Sequence, residues 1–214
     1  MRWRLALAIS LVVLSLAASS SAQSPQGRVE LDTLLSAFAK MDGLEARFVE
    51  EKRMQLLKAP LVSEGRLYFV PPGYLLRKIV SPQPSQILIT PTTLTVDDGL
   101  TQQVIDLSAR RDVRSFVASF VSLLAGDKDA LTTAYEIRIT DEGNGRWRME
   151  LAPKVSPLSE IIKMVGVSGR GLSVAQIHVF DTNGDETITR MLDVDPKRRF
   201  DASERKALFG IEAR

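Results

Sequence analysis

Two Asn-Gly dipeptides, each set between runs that alternate apolar and polar residues, constrain this chain more than any other feature. Asn144-Gly145 separates the run Tyr135 to Thr140 from the run Arg146 to Leu151, and Asn183-Gly184 separates Ala175 to Phe180 from Glu186 to Leu192. The two central residues of a tight hairpin need positive φ, which Asn and Gly tolerate best, so such a dipeptide between alternating runs marks a β-hairpin. Alternation with period two buries one face of each strand and leaves the other wet. Asp98-Gly99 repeats the signal between Thr93 to Val96 and Gln102 to Leu107.

Further extended runs cover residues 45–57, Leu61 to Val70, Tyr74 to Val80 and Gln86 to Thr90. Pro71-Pro72-Gly73 and Ser81-Pro82-Gln83-Pro84 interrupt them, because proline has no N–H to give to a ladder. The run Ile161 to Val167 is read as a strand for its β-branched content. Helical spacing occurs twice. Leu31, Leu34, Leu35, Phe38 and Met41 share one face, as do Val113, Phe116, Val117, Phe120 and Leu124, with Gly126 closing the second helix. A short helical turn is predicted over Lys128 to Thr133. The spacing of Asp201 and Glu204 resembles a capping box opening a last short helix. About ten or eleven strands joined by hairpins, with two substantial helices, predict an α+β domain. Its core is a single large curved antiparallel sheet with helices against one face. No internal repeat or linker divides it.

The N-terminus stands apart. Arg2 and Arg4 precede an apolar run from Leu5 to Ala18, and Ser20-Ser21-Ala22 supplies small residues before Gln23. This is the three-part pattern of a secretory signal peptide. The apolar run is shorter than the about 20 residues that span a bilayer. Residues 1–22 are therefore expected to be a signal peptide, and residues 23–214 one exported domain. The whole chain has 28 Lys and Arg against 26 Asp and Glu. Cleavage after Ala22 removes Arg2 and Arg4 and no acid, leaving 26 against 26. A neutral body gives no footing for nucleic-acid binding, which shows as a basic domain.

The chain has no cysteine and one histidine. These counts exclude disulfide scaffolds, thiol catalysis, Cys-ligated metal centres, multi-histidine metal sites and lipidation of an N-terminal cysteine. No metal or cofactor is expected. Ser203 and Lys206 have Ser-x-x-Lys spacing, but they lie in a charged tail without the companion motifs of that enzyme class. Asp181, Asn183 and Asp185 imitate the start of a calcium loop. Glu186 then stands where glycine is required and Leu192 where the closing glutamate belongs, so a hairpin turn explains them better. His178 reads as a surface or edge residue of a strand. The adjacent acids Glu50, Glu51, Asp97 and Asp98 point to opposite faces when extended. Arg110-Arg111 and Lys197-Arg198-Arg199 read as solubilising. No enzymatic activity is expected. What remains is apolar: two helices cover only part of the inner face of such a sheet, which either fills with its own side chains or keeps a hollow for an apolar guest.

Leu44 to Lys52, then Pro60 to Phe69, Pro71-Pro72 and Ser81-Pro82, resemble the N-terminal half of the LolA-type periplasmic lipoprotein carriers. The later order is similar too: the helix at Val113 to Leu124, Trp147 to Pro153, and the Asn183-Gly184 hairpin. The resemblance implies an unclosed β-barrel with a helical lid around an apolar cavity. It also implies a periplasmic, monomeric carrier that takes lipoprotein acyl chains from the inner to the outer membrane. Inner-membrane release machinery and an outer-membrane acceptor would be its partners. The family's lid-fastening arginine lies just before the proline that follows the Gly-x-Leu strand; here Pro71 holds that place, and Arg77 is nearby on the next strand. Some LolA-like proteins of this divergent type are associated with other acylated or polyene lipids, and a periplasmic sensor or adaptor on the same fold is the other reading.

On this reading the lid contributes Leu34, Leu35, Phe38, Val113, Phe116, Val117 and Phe120 to the lipid-binding cavity. The strands contribute Leu67, Phe69, Ile87, Ile89 and Val96, and from the later hairpin Trp147, Met149 and Leu151. Strand alternation leaves this inward set open by one register.

Overall fold

The alternating runs become two antiparallel meanders that meet along one seam. A computed structural model describes residues 29–211; within the helix Arg111–Ala125 it leaves the side chains of residues 111, 112, 115, 116, 119 and 120 undescribed. The expected signal peptide and its cleavage site lie outside the described residues. The first meander comprises β1 (Leu44–Arg53), β2 (Leu61–Val70), β3 (Tyr74–Ser81), β4 (Ser85–Ile89), β5 (Thr93–Asp97) and β6 (Gln102–Asp106). The second comprises β7 (Tyr135–Gly143), β8 (Arg146–Pro153), β9 (Ile162–Arg170), β10 (Ser173–Asp181) and β11 (Glu186–Asp195). All neighbours are consecutive in sequence except β1 and β11, whose antiparallel pairing joins the meanders into one 11-stranded sheet. β6 and β7 are its two edges, so the sheet is not closed into a barrel.

The helices are α1 (Leu31–Phe38), α2 (Arg111–Ala125), α3 (Lys128–Ala134), α4 (Leu158–Ile161) and α5 (Ala202–Phe209). α2 and α3 carry the chain from one sheet edge to the other, and α1 packs on α2. Gly126 ends α2 at φ 66°, a left-handed conformation in which glycine carries no steric penalty. It also lies so close to α1 that a Cβ there would stand 2.2 Å from the Leu35 carbonyl oxygen. α5 begins with the capping box of Asp201 and Glu204. None of the helices among the described residues is long and apolar enough to cross a membrane.

Two boundaries differ from the sequence reading. β1 stops at Arg53 rather than at residue 57, because its partners run out: Arg53 faces Glu186, the first residue of β11, and Lys52 faces Leu61, the first of β2. The residues between form a turn in which Leu56 is 91% exposed. The strand expected from Ile161 begins at Ile162 and runs on to Arg170, and the single turn α4 occupies the four preceding residues.

Among the described residues the interior divides into three clusters. Under β7–β10, Leu34, Leu35 and Phe38 of α1 pack with Trp147, Met149, Leu151 and Val167. Under β1–β5, Val117 and Val121 of α2 pack with Leu44, Phe48, Leu67 and Phe69. On the opposite face of the sheet, Phe200 and Phe209 cover Val70 and Leu76.

Candidate functional site

Strand pairing sets the candidate site. Ala46, Leu67, Arg77, Ile87 and Val96 are direct partners on β1 to β5 and form one transverse row. Leu44, Phe69, Leu75, Ile89 and Leu94 form the next row. Side chains of directly paired residues share a face, so both rows point toward α2. Val117, Leu123 and Leu124 of α2 roof the space, while Val174, Ile177, Met191 and Val194 enclose it from the side of β10 and β11. The result is a cavity of about 400 Å³, a size typical of small-molecule sites. Apart from Arg77 and Thr189, every described residue lining it is apolar.

Arg77 is the exception in its row. Its Nη2 lies 2.8 Å from Glu50 Oε1, with both side chains about one-quarter exposed. That approach is ionic only: Nη2 is shut off from solvent and makes no hydrogen bond in good geometry. The guanidinium also lies over the Phe48 ring, 4.5 Å from its centroid, a cation–π contact. Thr189 Oγ1 donates to the other oxygen of Glu50 at 2.8 Å. Gly65 makes this stack feasible, since a Cβ there would stand 2.6 Å from Phe48 Cζ and 2.0 Å from the Lys78 carbonyl oxygen.

Of the residues singled out from sequence, Leu67, Ile87, Ile89, Val96 and Val117 line the cavity. Phe69 and Val113 pack in the cluster beside it. Leu34, Leu35, Phe38, Trp147, Met149 and Leu151 meet in the closed cluster under the other meander. The side chains of Phe116 and Phe120 lie outside the described residues. Pro71 sits in the β2–β3 turn. Sequence reasoning passed over Phe48, Leu75, Leu94, Thr189, Met191 and Arg77 as cavity residues. For Arg77 the signal was present, as a lone cation at an inward position of the alternation Leu75, Arg77, Ile79.

The other motifs lie elsewhere. Asp185, buried in the β10–β11 turn, accepts from the Gln55 backbone N–H and the Asn183 side chain, tying this hairpin to the β1–β2 turn. His178 Nε2 is 3.1 Å from Glu186 Oε2, and its ring stacks on Phe180. Ser203 and Lys206 belong to α5, the helix of the opposite face. Among the described residues no three His, Cys, Asp or Glu side chains converge to hold a metal ion.

No curated protein matches the chain by sequence. Among solved structures, the LolA superfamily protein NE2245 from Nitrosomonas europaea aligns at 12% identity and a TM-score of 0.43, over 83% of this chain and 97% of that one. A DUF1329 family protein from Desulfovibrio piger aligns at 12% identity and a TM-score of 0.45, over 84% and 94%. The MucA/MucB complex of Pseudomonas aeruginosa gives 10% identity and a TM-score of 0.47, over 78% and 57%. The model of the family described as "Outer membrane lipoprotein carrier protein LolA-like" matches residues 22–195, and the chain belongs to that family.

Proposed function

We propose that this protein is a periplasmic carrier that shields the acyl chains of a lipoprotein, or of another envelope lipid, in the cavity between α2 and strands β1–β5. The observation that carries the reading is the cavity itself: about 400 Å³, with a lining that among the described residues is apolar except at Arg77 and Thr189. Transfer from water to such a surface is favourable by about 0.8 kcal/mol for each buried methylene. A chain of a dozen methylenes therefore gains enough to be held without any covalent step. The expected signal peptide and the family match support a location between two membranes, where an acylated cargo needs cover. Inner-membrane release machinery and an outer-membrane acceptor are the partners this reading requires, with the carrier acting as a monomer and without metal, cofactor or catalysis.

Native mass spectrometry of the protein isolated from its own periplasm tests the proposal. A co-purifying lipidated protein supports lipoprotein transfer, and a free acylated lipid supports the variant with another envelope lipid. Protein recovered without any lipid, and inert toward added acyl probes, overturns both and leaves a sensor or adaptor role.

A further inference from the structure

The cavity floor holds a polar group that apolar cargo alone does not require. A guanidinium carries five N–H donors and no acceptor. Arg77 has one ionic contact, to Glu50, and among the described residues makes no side-chain hydrogen bond in good geometry. Buried polar groups are almost always satisfied, because an unmade hydrogen bond costs the full desolvation of the donor. Phe48 beneath the guanidinium and Leu67 and Ile87 on either side offer it no acceptor. Glu50 meets the guanidinium through one oxygen, and its other oxygen accepts from Thr189. Arg77 itself lines the cavity, where Thr189 is the only other polar lining residue among the described residues, so the donors not engaged by Glu50 are left for a guest.

The charge balance narrows what suits them. Glu50 already neutralises Arg77, so the cluster is formally neutral. A second carboxylate entering beside Glu50 would bring an uncompensated negative charge into an apolar enclosure, which is strongly unfavourable. An ester or amide carbonyl accepts hydrogen bonds without adding charge. Resting on the carrier reading above, we infer that Arg77 is the polar anchor of the cavity: it hydrogen-bonds the uncharged ester or amide carbonyl of an acyl chain, while Glu50 disfavours free carboxylates. The selected cargo class is then acyl esters and amides rather than free fatty acids.

Displacement of the neutral fluorophore N-phenyl-1-naphthylamine by tetradecane, methyl laurate, N-methyl lauramide and laurate, at mildly alkaline pH, tests this. Arg77→Met should weaken the ester and amide relative to the hydrocarbon by about tenfold, the scale of one hydrogen bond to a charged donor. Whichever of the two carbonyl ligands loses more names the linkage preferred. Glu50→Gln should shift the preference toward laurate by a similar factor, since it leaves Arg77 uncompensated. Infrared spectra of carbonyl-labelled methyl laurate bound to the wild-type protein give a readout independent of the variants: the carbonyl stretch should move down from its value in hydrocarbon. An unshifted band, or an ester-to-hydrocarbon ratio unchanged in a folded Arg77→Met protein, overturns the anchor while leaving the carrier reading intact. Failure of every acyl ligand to bind overturns the carrier reading itself.

Discussion

Trp147 faces Gly169 across the β8–β9 ladder, and Phe48 faces Gly65 across β1–β2. In each pair the missing Cβ makes room for the ring: at Gly169 it would stand 2.7 Å from Trp147 Cζ2, and at Gly65 2.6 Å from Phe48 Cζ. The same cross-strand device ends differently in the two meanders. Over Trp147, Phe38 of α1 packs edge-to-face at 6.2 Å, and the indole N–H donates to the Gly171 carbonyl at 2.9 Å. That half is filled. Over Phe48 lies the Arg77 guanidinium, with aliphatic side chains of α2 beyond a space of about 400 Å³. Alternation determines which side chains point inward; what the covering helix brings to meet them determines whether the face closes.

Truncation in the filled half should have the largest effect. Trp147→Ala removes a fully buried ring and its hydrogen bond, and should cost about 3–5 kcal/mol of stability. Ile87→Ala in the hollow half should cost less than about 2 kcal/mol, because the atoms removed already lack neighbours on the cavity side. Urea unfolding of both variants measures the difference. Equal losses would mean that the two halves are packed alike.

The glycines come next. Gly169→Ala and Gly65→Ala each push a methyl group into a ring and a backbone carbonyl, and overpacking of this kind costs about 1–3 kcal/mol. The two should part in their second readout. Gly65→Ala displaces Phe48, and with it the surface on which Arg77 rests, so acyl-probe affinity should fall along with stability. Gly169→Ala should lower stability alone. A loss of probe binding in both would couple the halves and erase the distinction between them.

The strands were legible because their signals are local. An Asn-Gly dipeptide sets a turn within four residues, and alternation sets the buried face, as at Tyr135 to Leu151. The division into filled and hollow halves was not legible, because α1 decides it by lying over β8 rather than β3. Phe38 and Leu67 both read as inward from their own spacing, and only the path of the chain after Gly43 sends one to the closed core and the other to the cavity. Arg77 shows the same limit: its parity is visible in Leu75, Arg77 and Ile79, but its partner Glu50 lies across β2, where register depends on the whole β1–β2 turn.

A charge placed in the hollow half sharpens the comparison through binding. Ile87→Glu puts a carboxylate on β4 in the row of Arg77. Ile87 is only half-buried, so the protein should stay folded, as far-UV circular dichroism would report. Acyl-probe affinity should fall by at least about tenfold, or 1.4 kcal/mol, through a polar group that the guest must desolvate. A folded Ile87→Glu protein that binds the probe normally would move the guest away from β4.

The smallest effect belongs to the face that neither half uses. Asp201 accepts from the Glu204 backbone N–H at 2.8 Å while the Glu204 side chain accepts from the Asp201 N–H at 3.0 Å, so two otherwise orphaned donors are satisfied at the start of α5. Asp201→Ala should cost about 1 kcal/mol, the usual loss for a helix N-cap. α5 packs on the sheet through Phe209 and its neighbours around Val70 and Leu76, whose side chains point away from the cavity. The loss should therefore appear in urea unfolding and leave acyl-probe affinity unchanged. A parallel drop in affinity would show that the two faces of β2 and β3 are mechanically linked, and that the hollow half depends on support from outside as the filled half depends on Phe38 from within.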